Sequence, residues 1–187
     1  MAFGQGYSVT AMQATSIFAT IANDGVRVSP TVIAGTSDAS GNFTPASGRT
    51  SQRVVSAETA QKVRLMMESV VSAGGTAPAA AIAGYRVAGK TATAQRIDDT
   101  CGCYRGYTAS FIGFAPADKP AYVISVTIQD PKGMHWGGVL GGPVFKKVMS
   151  FVLKSRHIAP TNTTFAPVPL NEKALAIKRA QDATTSN

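Results

Sequence analysis

Three candidate strands stand in succession at residues 85–95, 107–114 and 122–129, and they restrict the fold more than any other feature of the chain. The last sets Val123, Ser125, Thr127 and Gln129 against Ile124, Val126 and Ile128, the two-residue period of a pleated strand. Only short polar turns join the three, so they pair as an antiparallel meander. A meander has faces to cover, and helical patterns lie on either side of it in the chain. Helices flanking an antiparallel sheet make an α+β domain.

The first helix is signalled by Thr10 and Gln13, which have capping-box spacing, followed by Ala14, Ile17, Phe18, Ile21 and Ala22 at helical intervals. Asn23-Asp24-Gly25 stops it, with Gly25 suited to the C-cap. Residues 26–33 alternate like a strand, and Pro30 places that strand at an edge. Residues 36–51 are polar and contain glycine, which predicts a surface loop or loose hairpin. Ser56 caps a second helix with Glu58 in its first turn and Val63, Met66, Met67 and Val70 as its apolar face, ended by Gly74-Gly75. An alanine-rich connection, residues 76–84, leads into the meander. Gly141-Gly142-Pro143 opens a last helix whose apolar stripe is Val144, Phe145, Val148, Met149, Val152 and Leu153. Beyond His157 the pattern dissolves into prolines, threonines and polar residues. Residues 158–187 therefore read as a weakly ordered tail, with a helical turn over 172–179.

The 187 residues, 44% hydrophobic and 15% charged, are enough for one domain with a sizeable core. A net charge of +8 suits an anionic partner such as nucleic acid, a membrane face or cell-wall polymer, or else a plain solvated basic surface. No apolar run approaches the roughly 20 residues of a spanning helix, and the first residues lack the charged and apolar regions of a signal peptide. Cys101 and Cys103, even with His135 and His157, are too few for a zinc site. A tight disulfide and a free thiol pair both remain open.

Chemistry concentrates in Val87-Ala88-Gly89-Lys90-Thr91-Ala92-Thr93-Ala94-Gln95, a short strand carrying one ammonium and two hydroxyls. It resembles the K-T-G-T-A-Q strand of penicillin-binding transpeptidases and serine β-lactamases. Taken alone, Lys90 would pass for an exposed strand lysine and the threonines for ordinary strand formers. Three further blocks stand in the same order as in class B penicillin-binding proteins. Gly4-Gln5-Gly6-Tyr7-Ser8-Val9-Thr10 with Gln13 is similar to G-Q-G-x-x-V-T-x-x-Q; Ala22-Asn23-Asp24-Gly25 is similar to the end of the following helix. Trp136-Gly137-Gly138 through Pro143-Val144-Phe145 is similar to Y-G-G-x-x-A-x-P-V-F.

The resemblance implies that residues 1–157 are the C-terminal part of a transpeptidase domain of that fold. The activity it implies is peptidoglycan D,D-transpeptidation through an acyl-serine, with β-lactams acylating the same serine. Water in place of the amine acceptor would make a β-lactamase or D,D-carboxypeptidase, and a noncatalytic penicillin-recognition domain is the reading from another class. By the same resemblance Lys90 supplies charge to the cleft and the Thr93 backbone N–H is one oxyanion donor. Thr91, Thr93 and Gln95 would bind substrate, and no metal or other cofactor is implied. Neither the S-x-x-K serine nor an S-x-N element is read anywhere in the 187 residues; in such proteins both lie upstream, as does the segment anchoring them to the outer face of the bacterial membrane. The implied partners are stem peptides, β-lactams, the upstream part of the same domain and a glycosyltransferase or other division or elongation proteins, not nucleic acid. Without the upstream helices, one face of the meander is expected to lack its cover. One departure stands out: Ala92 occupies the place of the family's glycine and by strand alternation faces the same way as Lys90. The loop of residues 96–106, with Asp98, Asp99, Cys101, Cys103 and Arg105, would hang over the cleft or be a solvated hairpin tip.

Overall fold

The computed structural model describes residues 8–161. Helix α1, Ala11–Ala22, starts where its capping box predicts. Gln13 N–H donates to Thr10 Oγ1 at 3.1 Å and Thr10 N–H donates to Gln13 Oε1 at 2.9 Å, so two orphan donors are satisfied reciprocally. The helix ends at Asn23, and Gly25 takes a left-handed φ of 80° just beyond. The strand expected over residues 26–33 is shorter: β1 covers only Val26–Val28, because Pro30 has no N–H to carry the ladder on. The polar segment after it forms a small hairpin of β2, Gly35–Ser37, and β3, Phe43–Pro45. β4, Ser51–Arg53, then returns to pair antiparallel with β1.

Helix α2, Ala57–Glu68, is capped by Ser56, whose Oγ accepts from Thr59 N–H at 3.1 Å. It stops at Glu68, well before Gly74-Gly75, and its buried residues are Ala60, Arg64 and Glu68. That corrects the expected apolar face: Met66 is half exposed, and only Met67 and Val70 of the four lie against a core. Two charges can occupy the inner face because each finds a distant partner. Arg64 Nη1 donates to Asp24 Oδ1 at 2.7 Å and to Ala22 O at 3.2 Å, taking up a carbonyl at the end of α1. Glu68 receives the guanidinium of Arg86 in two bonds, Nε at 2.8 Å and Nη2 at 2.6 Å. The carboxylate in turn holds the Arg86 pKa above the ordinary arginine value through that hydrogen bond.

The meander forms as expected. β5, Ala88–Asp98, β6, Cys103–Ala115, and β7, Tyr122–Gln129, pair antiparallel in the order β5-β6-β7. After a 3-10 turn at Pro78–Ala80 and the strands, helix α3 spans Gly137–Ser155. One sheet face presents Phe111 to Phe145, Met149 and Leu153 of α3, with the Phe111 and Phe145 rings edge to face at 4.9 Å. The other presents Ala88 and Phe114 to Ala22 of α1 and Met67 of α2. Both faces are thus covered by helices of this chain, which corrects the expectation of a bare strand face.

α3 also begins four residues earlier than Gly141, with Pro143 inside it. Gly137, Gly138, Gly141 and Gly142 are all buried, and their missing side chains are what let the helix start flat against the sheet. Local propensity counts these glycines as helix breakers, whereas packing uses them. Its stripe is narrower than expected: Val144 and Val148 are each 43% exposed, and Phe151 is 71% exposed. These three lie on one outer face of α3, at helical spacing. The isolated chain is therefore expected to enhance the fluorescence of a hydrophobic dye and to self-associate in sedimentation velocity. Replacing Val148 and Phe151 together by lysine should abolish most of both effects; an unchanged signal would place the sticky surface elsewhere.

Past α3 the chain turns back on the sheet. Tyr85 Oη donates to Ile158 O at 2.7 Å and Thr161 N–H donates to Gly84 O at 2.8 Å, so residues 158–161 lie beside the entrance to β5. The helical turn expected over 172–179 and most of the block at residues 4–10 fall outside the described residues.

Candidate active site

β5 is the outer strand of its sheet, so along one side its alternate N–H and C=O groups have no strand partner among the described residues. Gly89 fixes how closely it approaches β6: a Cβ there would stand 2.5 Å from Cζ of Phe111, a fully buried ring. Paired residues share a face, so Thr91 lies with Phe111 and Thr93 with Ala109 on the side of α3. Lys90 and Ala92 alternate to the other side. The Lys90 side chain is exposed and bends back along the strand, where Nζ donates to Thr91 O at 3.0 Å and lies 3.5 Å from Thr91 Oγ1.

Each threonine hydroxyl is held by a group from outside the strand. Gly137 N–H, at the start of α3, donates to Thr93 Oγ1 at 3.2 Å. A hydroxyl that accepts from a fixed amide keeps its own proton for another partner, so Thr93 remains a donor. This contact requires glycine at 137, because a Cβ would collide with the carbonyl oxygens of Ala92 and Ser110. Thr91 Oγ1 lies 3.2 Å from Thr76 Oγ1, a hydroxyl from the connection after α2. Gln95, also on β5, is exposed and lies opposite Tyr107 of β6. The strand thus brings together Lys90, Thr91, Thr93 and Gln95 within one short run.

Three groups near it were not legible as site residues: Thr76, and the ring pair Tyr107 and His135. The last two stack at 4.1 Å with nearly parallel planes, and Trp136, 57% exposed, lies 4.9 Å from His135. Trp136 sat in a recognised block, but nothing in the sequence placed its neighbour His135 on Tyr107. Thr76 had no signal at all, since its neighbour Thr91 is 15 residues away.

The loop of residues 99–102 joins β5 to β6, and Cys101 and Cys103 are joined there by a disulfide, which closes the alternative of free thiols. Asp98 organises the turn: its carboxylate accepts from Thr100 N–H and Oγ1, and the Thr100 hydroxyl foremost holds it below the usual carboxylate range. The letters S-x-N do occur once, at Ser40-Gly41-Asn42, which corrects the sequence reading. They sit in the turn between β2 and β3, where Asp38 accepts from the N–H groups of Ser40 and Asn42 and from the Asn42 amide. Turn formation accounts for all three bonds.

A sheet between helices, whose outer strand carries an ammonium and two anchored hydroxyls, has the arrangement of the penicillin-binding class. More particularly, the chain belongs to the penicillin binding protein transpeptidase domain family, which matches residues 1–150. It is 41% identical over 181 residues to penicillin-binding protein PbpB of Mycolicibacterium smegmatis, covering 91% of this chain and 28% of that protein. Stage V sporulation protein D of Bacillus subtilis is 37% identical over 162 residues, 85% of this chain and 25% of that protein. Among solved structures, penicillin binding protein 3 of Mycobacterium tuberculosis complexed with ampicillin superposes with a TM-score of 0.78 at 36% identity. That match covers 87% of this chain and 38% of the other. The chain spans only about a quarter of the length of these curated relatives.

Proposed function

We propose that residues 1–157 form one wall of the cleft of a peptidoglycan D,D-transpeptidase, and that the nucleophilic serine comes from a part of the protein outside these 187 residues. The serine oxygen adds to the carbonyl of the donor stem peptide's last peptide bond, that C–N bond breaks and the terminal amino acid leaves with the serine's proton; an amine of a second stem peptide then takes the acyl group and gives a proton back to the serine. A β-lactam carbonyl enters the same way and stops at the acyl-enzyme. The arrangement of β5 supports this reading: Lys90 and the anchored hydroxyls of Thr91 and Thr93 stand together on an outer strand. Lys90 and the two hydroxyls hold the terminal carboxylate of the donor, with Gln95 further along the strand. The Thr93 N–H stabilises the oxyanion, with the serine's own N–H as its companion. Such chemistry belongs on the outer face of the bacterial membrane, and the anchor would lie in the remaining part of the protein. A glycosyltransferase that makes the glycan strands is the natural partner.

This division of the site has a direct consequence. Incubated with a fluorescent penicillin, the 187-residue chain alone is expected to keep its unmodified mass, whereas the complete protein acquires one acyl group. A stoichiometric adduct on any serine of the chain alone would show that the nucleophile is here and the division wrong.

A further inference from the structure

Thr76 lies in the connection between α2 and β5, within the stretch the family matches but outside the four motif blocks, yet its hydroxyl reaches the cleft strand. Its backbone has little freedom. Ala77, fully buried, donates its N–H to Val70 O at 2.8 Å, and Gly138 of α3 packs so closely on the Thr76 carbonyl that a Cβ would collide with it. The hydroxyl carried on that backbone is exposed and stands 3.2 Å from Thr91 Oγ1, which also has Lys90 Nζ at 3.5 Å.

A threonine hydroxyl has one proton and two lone pairs, and a lysine ammonium can only donate. Lys90 therefore fixes Thr91 Oγ1 as an acceptor on one side. Either hydroxyl can donate across the Thr76–Thr91 contact; when Thr76 is the donor, both lone pairs of Thr91 are occupied and its single proton is left to point outward. Thr93 shows the same device, since it accepts from Gly137 N–H and keeps its own proton free.

We propose that Thr76 is a positioning residue of the carboxylate subsite: by donating to Thr91 Oγ1 it directs the Thr91 proton to the terminal carboxylate of the acyl donor. This deepens the transpeptidase reading and rests on it. Its ligand is a carboxylate, whether on a stem peptide or on a β-lactam, and the contact is charge-assisted only while that group is ionised.

The test uses the complete protein that carries these residues, with a penicillin and the methyl ester of the same penicillin as probes. Stopped-flow acylation separates the initial binding constant from the acylation step. Thr76→Val keeps the side-chain shape and removes the hydroxyl. It is expected to weaken initial binding of the penicillin acid about tenfold, the loss typical of one hydrogen bond to a charged group, while the acylation step changes little. The ester should bind wild type and Thr76→Val alike, and Thr76→Ser should restore the acid to the wild-type value. Equal binding of the acid by wild type and Thr76→Val overturns the proposal. So does an equal loss for acid and ester, which would mark Thr76 as merely structural. If wild type itself is not acylated by the acid, the transpeptidase reading falls and takes this inference with it.

Discussion

In the complete protein, Lys90→Ala is expected to slow acylation by a penicillin about a hundredfold to a thousandfold, the loss typical when one preorganised electrostatic contact is taken from an acyl-transfer site. Two effects act in the same direction. The ammonium attracts the donor's carboxylate into place, and its field favours negative charge developing on the attacked carbonyl. Both losses fall on the second-order acylation rate, which is the quantity to measure. Folding should not change, because the Lys90 side chain is exposed and, among the described residues, its bonds go only to the adjoining Thr91. A variant that melts like wild type and is acylated at the wild-type rate would remove residues 90–95 from the active site. Ala92 gives the complementary control. Ala92→Gly should match or exceed wild type, since it restores the family's residue, and Ala92→Val should be severely impaired by crowding on the face it shares with Lys90.

The largest effect on stability is expected at Glu68 and Arg86. Glu68 is the last residue of α2, its side chain only 2% exposed, and Arg86 stands just before β5 with its side chain 17% exposed. Removing one partner of such a pair strands a desolvated charge and costs about 3–5 kcal/mol. Glu68→Ala should thus lower the melting temperature by about 10 °C, read by circular dichroism. Replacing both by methionine should recover much of the loss, because no unpaired charge remains. If the single and double variants melt alike, the pair is not what ties α2 to the strand. The same tie matters for the site, since α2 leads directly into the connection that carries Thr76.

What the sequence by itself determined is local. The start of α1 was legible because a capping box closes within three residues, Thr10 to Gln13. The meander was legible because strand period is a two-residue property and short turns permit only antiparallel pairing. Lys90, Thr91, Thr93 and Gln95 could be named as candidates because their stretch resembles a family strand, and a motif carried on one extended segment keeps its spacing without help from elsewhere. Only the tertiary structure decided the remainder. Arg64 and Glu68 lie on the inner face of α2 because Asp24 and Arg86, distant in sequence, neutralise them there. α3 begins at Gly137 because the sheet fills the space its glycines leave open, whereas propensity places the start later. Thr76 and Gly137 hold the hydroxyls of Thr91 and Thr93 across separations of 15 and 44 residues. Contacts at that range leave no periodic mark along the chain, because they depend on how closely two surfaces pack and not on how each segment folds alone.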